Sequence, residues 1–165
     1  MDYVTRPNRW IATTFMAVAC VASTARAAEP PADLCGLLPA QDVSKTLGQA
    51  FGSPQKSVAP RPYANTAEGT DCHYRSKDGS DLMFRTYVDP SPSAAAGLFD
   101  RLAQFYAPPT PIAGLADQAY FDKDHGLHVR KGKVRFFLTL GSTGSFTPAR
   151  EKQLKDLASR VAGQL

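Results

Sequence analysis

Residues 126–140 read GLHVRKGKVRFFLTL. Leu127 and Val129 alternate with His128 and Arg130, Gly132 interrupts, and Val134, Phe136, Leu138 and Leu140 then alternate with Arg135, Phe137 and Thr139. Successive strand residues point to opposite faces, so this period of two predicts two strands around Gly132 that share one apolar face. Working outward, residues 71–88 repeat the pattern: DCHYRS, the turn KDGS, then DLMFRTYV. A Gly-containing turn between two alternating runs predicts a hairpin. GLADQAYF at 114–121 reads as another strand, and DKDHG at 122–126 as the turn after it. Residues 49–70 are irregular, punctuated by Pro54, Pro60 and Pro62, with an edge strand expected around 55–60.

Three helices flank these strands. Pro39, Asp42, Val43 and Leu47, stopped by Gly48, predict a short helix over about 39–47. Ser91-Pro92 predicts a capped start, followed by a stripe of Leu98, Leu102 and Phe105 widened by Phe99 and Tyr106, and the run APPTP at 107–111 ends it. Thr147, Pro148 and Glu151 open the last helix, where Leu154, Leu157, Ala158, Val161, Ala162 and Leu165 keep helical spacing. The architecture expected is α+β: an antiparallel sheet of five to six strands with three helices, on one face or split between both. His73-Tyr74-Arg75 and His128-Val129-Arg130 each precede a turn, a strand and a capped helix. Either a β-β-α unit is duplicated or two unrelated hairpin–helix units share a pattern.

Upstream of the sheet, Arg6 and Arg9 precede an uncharged run from Ile11 to Ala25, closed by Ala25-Arg26-Ala27. This three-part pattern predicts a secretory signal peptide over residues 1–27, leaving one domain over 28–165 in the periplasm or outside the cell. The run is too short to cross a bilayer. Ala17-Val18-Ala19-Cys20 loosely matches a lipobox, so a lipid anchor at Cys20 is the disfavoured alternative. The leader carries Arg6, Arg9 and Arg26 against Asp2, so the part from Ala28 on is two charges less basic than the whole chain's +4. A charge that modest makes no phosphate-tracking stripe, and nucleic acid is not an expected partner. Cys35 and Cys72 remain as an even pair, expected to form a disulfide in an oxidising compartment. Its loop of about 38 residues would contribute roughly 4 kcal/mol through the chain entropy it removes. A redox or metal role is the alternative, and C-x-x-C spacing is absent.

Catalytic patterns are missing. There is no G-x-S-x-G, and Gly141-Ser142-Thr143-Gly144-Ser145 lacks the Lys and immediate helix of a phosphate loop. Asp122, Asp124 and His125, with Asp117 nearby, have the composition of a weak cation site but also of an ordinary hairpin turn, and no metal or other cofactor is predicted. His73 and His128 have no evident nucleophile partner. What remains is a face. If the apolar set points inward, His73, Arg75, Met83, Arg85, Tyr87, His128, Arg130, Arg135 and Phe137 share the other side, and no carboxylate is among them. Arg forks suit carboxylate or phosphate, and exposed rings offer stacking area. His73, Arg75, Arg85, Tyr87, His128, Arg130 and Arg135 are therefore the candidate ligand-binding residues. An anionic small molecule or an envelope protein is the expected partner.

Asp33-Leu34-Cys35-Gly36-Leu37-Leu38, the helix end Leu47-Gly48, Cys72-His73-Tyr74, the segment Gly114 to Tyr120 and the segment Gly126 to Gly132 together resemble a family of secreted and lipoprotein domains of unknown function in bacteria. Those domains begin D-x-C-x-L-L, carry a second Cys before an aromatic, and contain G-L-x-D-x-A-Y and G-L-x-V-R-K-G. The resemblance spans most of the chain after the leader. It implies a cell-envelope role and no catalytic residue. The expected function is an exported accessory domain that binds a small ligand or partner through the basic-aromatic face. The alternatives are a structural or inhibitor-like interaction module and, behind it, a hydrolase assembled from distant residues.

Overall fold

The computed structural model describes residues 29–64, 66–106, 108–141 and 146–165. The expected leader and Cys20 lie outside the described residues. A short 3-10 turn, Leu34–Leu37, precedes α1 (Ala40–Leu47), β1 (Gln55–Ala59), β2 (Gly69–Arg75), β3 (Asp81–Val88), α2 (Pro92–Phe105), β4 (Thr110–Pro111), β5 (Gln118–Phe121), β6 (Leu127–Lys131), β7 (Val134–Gly141) and α3 (Pro148–Ala162). One antiparallel sheet holds all seven strands in the order β1-β2-β3-β7-β6-β5-β4. Two meanders thus meet in the middle, where β3 pairs with β7 from Asp81 opposite Gly141 to Val88 opposite Val134.

The fold class is α+β with three helices, as expected, but the sheet has seven strands rather than five to six. The extra strand is β4, two residues long, pairing Thr110 with Phe121 and Pro111 with Tyr120. It lies inside the proline run that sequence reads as a breaker. A proline at a sheet edge loses no ladder bond, so the run can both end α2 and start an edge strand.

Hydroxyl caps set the two longer helices. Ser91 accepts from the Ala94 amide and Thr147 from the Arg150 amide, each with Pro at the first turn. In α1, Pro39 sits at the cap position rather than inside, and Gly48 closes the helix at φ +72°.

The helices divide between the faces. Cys72, Tyr74, Leu82, Phe84, Leu127, Val129, Phe136 and Leu138 point to one side and bury against Val43 of α1 and Leu154, Leu157, Ala158 and Val161 of α3. Each such Leu or Phe contributes about 1.5–3 kcal/mol when fully removed from water. The Cys35–Cys72 disulfide joins the 3-10 turn to β2 across 37 residues. Beside it the Tyr74 hydroxyl donates to the Leu38 carbonyl at 2.5 Å. On the opposite side α2 lies over β6 and β7, with Ala95, Leu98 and Phe99 buried and the Phe99 ring 5.0 Å from Tyr120. Phe105, expected on the buried stripe, is 77 % exposed. Its neighbours Leu102 and Tyr106 face the sheet instead, and Tyr106 packs its ring 5.3 Å from His128 of β6. Because α2 and α3 lie on opposite faces, the repeated pattern holds for the paired strands and does not extend to the helices.

Candidate functional site: a pocket between the second helix and the sheet

Strand register builds the site. Tyr120, His128, Phe137, Arg85 and Asp71 stand in one row across β5, β6, β7, β3 and β2, each directly opposite the next. Gln118, Arg130, Arg135 and Tyr87 form the adjacent row. Both rows are on the face under α2. Phe99, Leu102 and Tyr106 of α2 make one wall, and Pro60, Arg61 and Pro62 of the β1–β2 connection make another. Arg85, Tyr87, His128, Arg135 and Phe137 form the floor of a pocket of about 150 Å³.

Two glycines let the floor rings lie flat. A Cβ on Gly69 would stand 2.6 Å from the Tyr87 ring, and one on Gly126 2.2 Å from the Phe137 ring. Neither approach tolerates a side chain. The Tyr87 hydroxyl then donates to the Pro60 carbonyl at 2.7 Å, which ties the connection to the sheet. Arg101 of α2 sits over the Tyr63 ring at 5.4 Å and ties the same connection to the helix.

Every base in the floor has its own carboxylate. Arg85 donates through Nε and Nη2 to Asp71 at 2.6 and 2.8 Å. Arg135 makes the same fork to Asp89 at 2.5 and 3.1 Å, with both side chains almost fully buried, and its guanidinium lies 4.9 Å from the Tyr87 ring centre. Forked pairs of this kind are strong and fix both partners. His128 Nε2 meets Asp122 Oδ2 at 2.9 Å. The imidazole stacks on Tyr120 at 4.6 Å and packs between Tyr106 and Phe137.

Burial works to raise the Asp122 carboxyl. The hydrogen bonds from His128 and the Gly126 amide, with the charge of His128, outweigh it and hold the group below the ordinary carboxylate range. The Arg85 guanidinium is held above its usual value chiefly by its hydrogen bonds to Asp71. The Tyr120 hydroxyl is buried and unpartnered among the described residues, and burial keeps its phenol protonated.

Of the seven residues the sequence nominates, Arg85, Tyr87, His128 and Arg135 line the pocket. Arg130 stands outside it, held by Gln118 at 2.7 Å and Asp117 at 3.1 Å. His73 and Arg75 are at the far end of the face, each 3.9 Å from Asp81. The face is not free of carboxylates, because Asp71 is on it and Asp89 and Asp122 reach it from strand ends. Alternation along β2 already puts Asp71 on the side of His73, so that signal was readable. The α2 wall was not, since its cue is a helix packing against the face assumed to be open.

The Asp122–His125 turn is occupied by its own bonds. Asp122 Oδ1 accepts from the Asp124 amide at 2.9 Å and the Gly126 amide at 2.8 Å. His125 stacks on Phe146, with ring centres 4.2 Å apart. No three His, Cys, Asp or Glu side chains among the described residues come together as a metal-binding group. The described lining of the pocket contains no Ser, Thr, Cys, Lys, Asp or Glu. It can enclose and orient a molecule, and it presents no hydroxyl, thiol or amine nucleophile beyond the Tyr phenols.

No family model and no curated protein matches this chain. Among solved structures, the extracellular domain of PknH from Mycobacterium tuberculosis matches with a TM-score of 0.53 at 9 % identity, covering 78 % of this chain and 92 % of that one. At that identity the likeness is one of fold.

Proposed function

We propose that this protein is an exported accessory domain of the cell envelope that binds a small molecule in the pocket beneath α2. The observation that carries the reading is the concave, aromatic-walled pocket over a floor of fixed side chains. A concave, mostly apolar site with a few convergent polar groups is the usual form of a ligand site. Export is supported by the Cys35–Cys72 disulfide, which suits an oxidising compartment, by the leader expected over residues 1–27, and by the fold shared with an extracellular domain. No helix among the described residues is long and apolar enough to cross a membrane. The resemblance to secreted and lipoprotein envelope domains points the same way.

Native mass spectrometry of the protein taken gently from its host's envelope tests the reading. The expected result is a polypeptide mass beginning at Ala28, with two hydrogens lost to the disulfide, plus a small mass that leaves on denaturation. Leu102→Trp, which fills the pocket from the α2 side, should keep the fold and lose the added mass. An added mass that survives this substitution places the ligand elsewhere, and a clean apo mass in the parent protein counts against small-molecule binding.

A second reading, docking of a protein along β1, is favoured by Val58, 68 % exposed on the outermost strand. Lys56 beside it, paired with Asp33 at 2.7 Å, is the kind of charge that protects an edge from pairing, which ranks this reading lower.

A further inference from the structure

The pocket is lined by three arginines and a histidine, yet its fields cancel. Asp71 engages Nε and Nη2 of Arg85, Asp89 engages the same two nitrogens of Arg135, and Asp122 meets His128. Arg61 at the mouth faces Glu68 at 3.3 Å. An entering anion therefore meets no net positive charge. To gain a fork of its own it would have to displace Asp71 or Asp89 and leave a buried carboxylate without its partner, which is strongly unfavourable. A cation fares no better, since the carboxylates are engaged and the groups presented to the cavity are guanidinium edges. A neutral molecule disturbs none of these pairs.

Shape narrows the class further. Tyr106, Phe99 and Phe137 present ring surfaces. The cavity of about 150 Å³ equals the volume known to accommodate one benzene in an apolar protein interior. The Arg85 and Arg135 forks to aspartate leave Nη1 of each guanidinium as a donor that a carbonyl or hydroxyl oxygen can use without altering the charge balance.

We infer that the pocket selects an uncharged, single-ring aromatic or heteroaromatic molecule bearing a neutral hydrogen-bond acceptor, and discriminates against the anionic and cationic counterparts of the same ring. This rests on the small-molecule reading above and goes beyond it in fixing the charge of the ligand. It also replaces the anion that the bare list of Arg and His suggested.

Three probes of one size test it: benzamide, benzoate and benzylamine, titrated into the purified protein while the backbone amides of Tyr87, Arg135 and Phe137 are followed by NMR. Benzamide should shift these amides saturably, and benzoate and benzylamine should bind about tenfold more weakly or worse. Asp71→Asn, which frees the Arg85 fork, should bring benzoate up to or past benzamide while benzamide binding persists. Benzoate or benzylamine binding the parent protein as tightly as benzamide overturns the charge selection and leaves the pocket standing as a ligand site. If none of the three shifts those amides, both the selection and the small-molecule reading fall.

Discussion

The two faces of the sheet are buried by different means. Under α1 and α3 the strands contribute Leu82, Phe84, Leu127, Val129, Phe136 and Leu138, and the interface is hydrocarbon against hydrocarbon. Under α2 they contribute Arg85, Arg135, His128, Tyr87 and Phe137, and three aspartates complete the layer. The first face is held by area removed from water and tolerates small changes of shape at modest cost. The second is held by matched pairs, each of which must stay whole, because a buried charge without its partner is far more costly than a lost methyl group. A face built this way keeps a cavity open: rigid forks hold the floor while α2 covers only part of it.

The largest expected difference lies at Asp89. Asp89→Asn leaves Arg135 buried without its counter-charge, and urea unfolding should show a loss of about 3–5 kcal/mol. Replacing both partners, Asp89→Leu with Arg135→Met, should recover most of that loss. On the other face Leu138→Ala should cost about 2–5 kcal/mol, with no partner substitution that restores it as simply. If Asp89→Asn costs under about 1 kcal/mol, the layer under α2 behaves as wet surface and the contrast between the faces disappears.

A smaller effect is expected at Asp122, and it carries a pH signature. Burial would raise this carboxyl, but the His128 and Gly126 hydrogen bonds hold it below the ordinary value. A group depressed in the folded state stabilises the fold fully above its unfolded value, about 3.9, and that contribution disappears as the pH falls through the folded value. Asp122→Asn should therefore cost about 1–2 kcal/mol at pH 7, and the gap to the parent protein should close as the pH drops below about 4. A gap that stays constant down to acid unfolding would mean the carboxylate's charge is not what the turn uses.

The apolar face was legible because alternation is local: eight residues of β7 state their own pattern. The caps of α2 and α3 were legible for the same reason. The α2 face was half legible. Alternation named Arg85, Tyr87, His128 and Arg135 correctly as neighbours, but register decides that Asp71 stands opposite Arg85, and register is a relation between strands. The Arg135–Asp89 pair spans 46 residues and closes only once β3 and β7 join. The helix that turns an open face into a pocket left a misleading trace, since Leu102 and Tyr106 read as ordinary core and Phe105 as their companion. The strand at Thr110-Pro111 was hidden by its own prolines.

The smallest effect sharpens the division within the α2 face itself. Arg75 belongs to the same basic set by sequence, yet its side chain is 71 % exposed and its contact with Asp81 is 3.9 Å long. An ion pair that open to water contributes little. Arg75→Gln should move the unfolding midpoint by no more than about 0.5 kcal/mol and leave probe binding unchanged. Phe137→Ala, in the floor of the pocket, should abolish that binding. The pair of variants separates two accounts of one face. If affinity follows the whole basic surface, both substitutions weaken binding. If it follows the covered half, only the one under α2 does, and the matched charges of the floor, rather than the surplus of arginine in the sequence, set what the protein takes up.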